Sequence, residues 1–283
     1  MLSRIITSII GIAVMIPIMF FSHTYVFPAV LAFFCLISLY EIFVCIKLKG
    51  KLFITLPTYA IGITFPFLCK YIVDTVGNAD LLNGILCASV VIYLVYLLSC
   101  AVLFHKKIDV NTLSICFILV VYIIGGFSSL QILEVSISKG IIAVLPVFIA
   151  SWITDIFAYF TGRLFGKHKL CETISPKKTI EGSIGGTIFC AVFFAVYATI
   201  IFTSTPPTSG YAVGYILAIC TALLLSVVAQ FGDLFMSLIK RKFGIKDFGS
   251  FFPGHGGVLD RFDSILAVSP VFLIIVTVIK IIT

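Results

Sequence analysis

Charge is what this sequence has least of. Only 11% of its 283 residues are Asp, Glu, Lys or Arg, against about 25% in soluble domains, while 61% are hydrophobic. That balance excludes a single water-soluble core. The apolar residues come in runs, each close to the roughly 20 residues that cross a bilayer as a helix. No C-x-x-C pair occurs, and the nine cysteines are an odd number. Most sit inside apolar runs, among them Cys35, Cys87, Cys116, Cys190 and Cys220, where they read as small buried hydrophobes. A disulfide framework and a zinc site are thereby set aside. The first apolar run follows Arg4 without a small-residue cleavage site and is followed at once by others, so it reads as a membrane span and not a removable signal. Internal repeats and low-complexity linkers are also lacking, which points to one membrane domain over residues 1–283.

Runs of about 17–24 apolar residues between polar breaks predict nine spans in an all-α polytopic membrane protein. They cover Ile5–Phe21, Val26–Ile46, Leu52–Ile72, Leu81–Phe104, Asn111–Leu133, Gly140–Thr161, Ile184–Phe202, Ala212–Phe235 and Ser264–Ile282. Nine spans place the N-terminus and every second loop on one side. That side receives sixteen of the 19 Lys and Arg residues, all but Lys70, Lys139 and Lys280. By the excess of cations on cytoplasmic loops, it is the cytoplasmic side. Topology alone accounts for Lys47, Lys49, Lys51, Lys106 and Lys107. The loops after the sixth and eighth spans are longer and mix cations with Asp, Glu, Gly and His.

An Asp at the centre of a membrane helix costs about 2.5–3.5 kcal/mol on insertion scales and therefore faces a cavity or a partner. Asp155 lies well inside the sixth span, and helical spacing places Tyr159, Gly162 and Gly166 on its face with Arg163 alongside. An interhelical bond or an Asp155–Arg163 clasp would be the plain explanation; a polar wall of an active site is the functional one. Asp233, Ser237, Lys240 and Arg241 likewise share one stripe at the cytoplasmic end of the eighth span, where the charges could merely neutralise each other.

The stretch that follows changes the weighing. Lys246 and Asp247 lead into Pro253, Gly254, His255, Gly256 and Gly257, and then Asp260, Arg261 and Asp263. The Pro/Gly segment makes a tight loop with exposed backbone, of the kind whose N–H groups hold phosphate oxygens. Carboxylates three residues apart beside several cations suit a Mg-nucleotide site, because Mg²⁺ takes one or two carboxylates plus substrate phosphates and Lys or Arg takes the remaining phosphate charge. After the sixth span, Ser175-Pro176-Lys177-Lys178-Thr179 offers two cations and two hydroxyls around a fixed turn. Attraction of the anionic leaflet is the simpler account of those lysines. Gly162–Lys167 is not a P-loop, since the glycine spacing is one residue short and His168 stands where Ser or Thr belongs. His255 could donate to a phosphate or ligate a metal, but no second His or Cys has zinc spacing. No nucleophile elbow surrounds Ser237, and nothing calls for nucleic acid.

Taken together, Ser237-x-Ile-Lys240-Arg241-x4-Lys246-Asp247-x-Gly249-x2-Phe252-Pro253-x-His255-Gly256-Gly257-Val258-x-Asp260-Arg261-Phe262-Asp263 resembles the signature of the bacterial-type phosphatidate cytidylyltransferases. The Ser175–Thr179 element and the Asp155/Tyr159/Gly162-Arg163 run resemble that family too, as do the length and the span count. One departure is Phe231 before Gly232-Asp233, where the family often has Asp. The resemblance implies a Mg²⁺-dependent transfer of CMP from CTP to phosphatidate, in phospholipid biosynthesis at the inner (cytoplasmic) cell membrane. The enzyme would often be a homodimer, with its site open to the cytosol and its catalytic half over residues 150–264. Asp233 and Asp260 would serve the metal with Asp263 in support. Lys246 and Arg261 would act with Asp233 and Asp260 in catalysis. Lys177, Lys178, Ser175, Ser237, Lys240, Arg241, His255, Asp155 and Arg163 would contact substrate.

Two other readings compete. A transporter would spread polar groups along several helices near the midplane, whereas here they gather at the ends of spans six to nine. A cytidylyltransferase for an isoprenoid-ether lipid phosphate would share the same residues. A CDP-alcohol phosphotransferase would need a run of spaced Asp residues, which is absent.

Overall fold

A computed structural model describes residues 17–18, 21–77, 79–136, 140–207, 210–254 and 256–282. The first expected span, Ile5–Phe21, lies almost wholly outside the described residues, as does His255. Eight helices among the described residues are long and apolar enough to cross a membrane, and each corresponds to one of the other eight expected spans. The chain is thus a polytopic, almost wholly helical membrane protein. It divides into two compact units: the described residues up to Ile141 with Phe243–Arg261, and Ile142–Lys242 with those from Phe262 onward.

The first unit contains α1 (Val26–Cys45), α2 (Leu52–Tyr71), α3 (Ala79–Leu103) and α4 (Val110–Ser136). Helices α1, α2 and α4 pack on one another around Leu39, Ile42, Phe43, Ile54, Ile123 and Phe127, all fully buried. Val91, Ile92, Val95 and Leu98 of α3 point outward, where the bilayer in place of water makes an apolar surface stable. Pro57 and Pro66 lie inside α2, and the helix passes into a π-turn, Ile72–Val76, before Gly77 stops it at φ +63°. The buried Lys70 of α2 lies 3.5 Å from Asp74 and 4.0 Å from the buried Glu134 of α4. Such a membrane-buried charge needs a partner of this kind.

The second unit contains α5 (Ile142–Phe165), a short antiparallel hairpin of β1 (Lys169–Cys171) and β2 (Ser175–Thr179), α6 (Ile180–Ser204) and α7 (Tyr211–Lys242). It also holds most of α8, which runs Leu259–Ile282 and begins in the first unit. Helix α5 is irregular, with a π-turn at Ile149–Ile153 just before Asp155. Small residues let α5 and α6 approach closely, as membrane interfaces favour. A Cβ on Gly182 would lie 2.5 Å from the Ala158 carbonyl, and one on Gly186 would lie 2.6 Å from that of Thr154. Polar side chains tie the same helices to α7. Thr154 donates to Ser226 at 2.9 Å, Thr187 and Ser226 share a 3.0 Å bond, and Gln230 donates to Thr187 at 3.1 Å.

Three boundaries differ from expectation in ways that matter for function. Helix α7 continues to Lys242, past the expected Phe235, because Gly232, Met236 and Ile239 keep one face buried and the three terminal cations suit the negative helix end. Helix α8 begins at Leu259 instead of Ser264, which makes Asp260 and Asp263 helical residues. The Ser175–Thr179 segment is a β-strand and not a free turn.

Candidate functional site

In the first unit the glycine-rich segment 248–258 is shaped by carboxylates. Gly254 and Gly256 adopt φ +77° and +87°, a left-handed backbone that other residues seldom enter, and Phe252 N–H closes the loop on the Gly256 carbonyl at 2.9 Å. Asp260, in the first turn of α8, accepts hydrogen bonds through one oxygen from the N–H groups of Phe248 and Gly257, both at 2.9 Å. Glu41 of α1, only 4% exposed, accepts from Val258 N–H and Leu259 N–H with separate oxygens, again at 2.9 Å. Those four amides are therefore spoken for. Of the Pro253–Gly257 turn, whose N–H groups the sequence offered to phosphate oxygens, the Gly257 amide faces a protein carboxylate instead. Beside these bonds lies a cleft of about 520 Å³, lined by Lys246, Asp247, Ser250, Gly254, Gly256 and Arg261 among others. Lys246, Asp247 and Arg261 are exposed.

In the second unit the carboxylates meet cations. Asp233, half-buried on α7, forms an ion pair with Lys178 of β2 and accepts from Ser237 Oγ at a long 3.5 Å. Asp263 is 7% exposed; the carboxylates of Asp233 and Asp155 and the ammonium of Lys240 are near enough to act on it electrostatically. Its own oxygen accepts from Ser264 N–H at 2.8 Å. The stripe on α7 is thus not self-neutralising: Asp233 turns to the hairpin, Lys240 acts on Asp263, and Arg241 donates to the Ile174 carbonyl at 3.4 Å. Arg163 is exposed and donates to Tyr159 Oη at 3.3 Å. Lys177 is exposed on β2 and Ser175, at the strand's start, is half-buried. The hydroxyl of Thr179, offered by the sequence as a phosphate donor, instead caps α6 by accepting from Gly182 N–H at 3.1 Å. Such a cap adds about 1 kcal/mol to helix stability.

The second unit therefore brings together Asp155, Lys178, Asp233, Ser237, Lys240 and Asp263. Lys246, Asp260 and Arg261 belong to the first unit with the glycine loop. Among the described residues no three His, Cys, Asp or Glu side chains converge at metal-ligating distance. Asp233 and Asp263 are the pair that could share an ion in the second unit.

Sequence reasoning missed Glu41. The signal was present, since it is an acid in an otherwise apolar span and the criterion applied to Asp155 fits it equally. Glu181 was missed too. It accepts from Lys167 N–H at 3.1 Å and from His168 Nδ1 at 2.7 Å, and so holds the α5–β1 turn against the start of α6.

Comparison with known proteins agrees with this chemistry. The model of the cytidylyltransferase family matches residues 2–279. A phosphatidate cytidylyltransferase of Staphylococcus haemolyticus is 32% identical over 272 residues, covering 96% of this chain and 97% of that protein. Proteins of the same name match over shorter stretches. That of Staphylococcus saprophyticus is 38% identical across 63% of this chain and 65% of its own length, and that of Staphylococcus aureus 39% identical across 63% and 64%.

Proposed function

The chain belongs to the cytidylyltransferase family, and from that premise we propose that it is a phosphatidate cytidylyltransferase, transferring CMP from CTP to phosphatidate to give CDP-diacylglycerol and pyrophosphate. The observation that carries this reading is the likeness over nearly the whole length to a protein of that name. Of the signature residues, Asp233's neighbour Ser237, Lys240 and Asp263 belong to one constellation described above and Lys246, Asp260 and Arg261 to the other, and their chemistry suits the reaction.

Phosphatidate is a phosphate monoester with a second pKa near 6, so at pH 7 it is largely a dianion. One of its oxygens can attack the α-phosphorus of CTP without a strong general base. A new P–O bond forms there, the bond from the α-phosphorus to the bridging oxygen breaks, and pyrophosphate leaves with the electron pair. The obstacle is repulsion between two polyanions. Lys246 and Arg261 in the first unit, and Lys177, Lys178, Lys240 and Arg241 in the second, supply positive charge against it. Cations that hold phosphates also align them for in-line displacement. The Asp233–Lys178 pair orients both groups before substrate arrives, and Ser237 helps to hold Asp233.

Mg²⁺ fits the donors present. They are hard carboxylate oxygens, Asp233 and Asp263 in the second unit and Asp260 in the first, too few to enclose an ion, which suits a metal that keeps water and substrate phosphate as its other ligands. Bound there, it would offset the charge that develops on the phosphates. The distribution of Lys and Arg supports a site open to the cytoplasm in the cytoplasmic membrane, and the family resemblance supports a homodimer.

The test is conversion of labelled CTP to CDP-diacylglycerol by purified protein in detergent with phosphatidate. It is run with Mg²⁺ and with EDTA, and with an ether-lipid phosphate as competitor. We expect Mg²⁺-dependent product that is lost in Asp260→Asn. Folded protein that makes no liponucleotide from any lipid phosphate would refute the reading, and preference for the ether lipid would reassign the substrate.

A further inference from the structure

We infer that Glu41, 217 residues away in sequence from the loop it binds, is a positioning residue that sets the geometry of the glycine loop and of Asp260. The inference rests on the reaction proposed above.

Four observations lead there. Glu41 is a buried acid in a membrane helix, and such a group persists only where its charge is met. It is met by two backbone amides, Val258 and Leu259, one on each oxygen, at the positive end of α8. Two glycines of the loop, Gly249 and Gly257, lie so close to the carboxylate that an added Cβ would stand 2.4 Å and 2.3 Å from Oε1. The loop backbone therefore rests on Glu41 at both of its ends. Asp260 then grips the adjacent amides of Phe248 and Gly257. Two carboxylates far apart in the chain thus divide the three consecutive amides of Gly257, Val258 and Leu259 and that of Phe248, next to residues of the cleft that holds Lys246 and Arg261. Glu41 touches no reacting atom in this scheme. It acts by fixing the start of α8 and so the direction of the Asp260 side chain, as the groups behind a metal-serving carboxylate commonly do.

Glu41→Gln tests this. The substitution keeps the size of the side chain but points an NH₂ at a backbone N–H, so that one charge-assisted bond becomes a clash of donors. Three quantities are compared with the unaltered protein, well below the unfolding temperature of both. They are turnover, the Mg²⁺ concentration for half-maximal turnover, and the rate of proteolysis in the loop by trypsin after Lys246 and by chymotrypsin after Phe251. We expect turnover to fall at least about tenfold, the scale of one lost charged hydrogen bond. The Mg²⁺ requirement should rise several-fold, and loop cleavage should quicken several-fold. Glu41→Asp, which keeps both acceptors on a shorter arm, should recover part of all three. Unchanged Mg²⁺ requirement and unchanged cleavage would overturn the inference. So would activity lost only in step with the fraction of unfolded protein. If the unaltered protein makes no CDP-diacylglycerol, the proposed reaction fails, while the cleavage rates still decide whether Glu41 holds the loop.

Discussion

The acids around the glycine loop of the first unit and those around α7 of the second are used in opposite ways. In the first cluster, Glu41 and Asp260 accept from backbone N–H groups, while the exposed Lys246 and Arg261 line the neighbouring cleft. In the second, Asp233 is paired with Lys178, and Asp263 lies in the field of Asp155, Asp233 and Lys240. A carboxylate bonded to amides clamps backbone in place, as Asp260 does through one of its oxygens. A carboxylate held beside Lys is a charge reserve, able to exchange its partner when a metal or phosphate arrives. Acids of one chain thus differ in setting according to what faces them.

The comparison can be broken most sharply at Asp233. Asp233→Asn should lower turnover by roughly 10³-fold, at the upper end for loss of one electrostatic contributor, with loop proteolysis unaltered. A loop that became labile in this variant would mean that the acids of the second unit are clamps as well. Gly257→Ala attacks the first unit without touching a charge. Its methyl would meet the Glu41 carboxylate at 2.3 Å, and overpacking of this kind costs about 1–3 kcal/mol. We expect a lower unfolding temperature, faster cleavage in the loop and roughly tenfold lower turnover; a variant with the melting curve of the parent would show that Glu41 yields easily. The smallest effect should come from Ser226→Ala, which removes a hydroxyl shared by Thr154 and Thr187. Interhelical bonds in membranes average about 0.6 kcal/mol, so thermal unfolding should shift slightly and turnover should stay within about twofold. A collapse of activity would place that network inside the catalytic machinery.

Much of the molecule was legible in its residues. Helices α1 to α8 lie where apolar length placed them, because in a bilayer each segment must satisfy its own backbone and length alone then selects a helix. The candidate site residues were legible as types at fixed spacings, from Asp155 through Lys178 and Asp233 to Asp263. Their pairing was not. Asp233 shares a stripe with Lys240 and Arg241 in the sequence, yet it bonds to Lys178 because the segment carrying that lysine is a strand that turns back toward α7. Thr179 looked like a phosphate donor until the start of α6 claimed it as a cap.

Hydropathy and local spacing by themselves determined a polytopic helical membrane protein and singled out most of the charged residues proposed for its chemistry, since burial in lipid and helical periodicity are properties of short segments. Only the tertiary structure decided which carboxylate holds backbone and which holds charge. Glu41 and the amides it accepts from are 217 residues apart, and a hydrogen bond acts over 3 Å of space without regard to the chain between its ends.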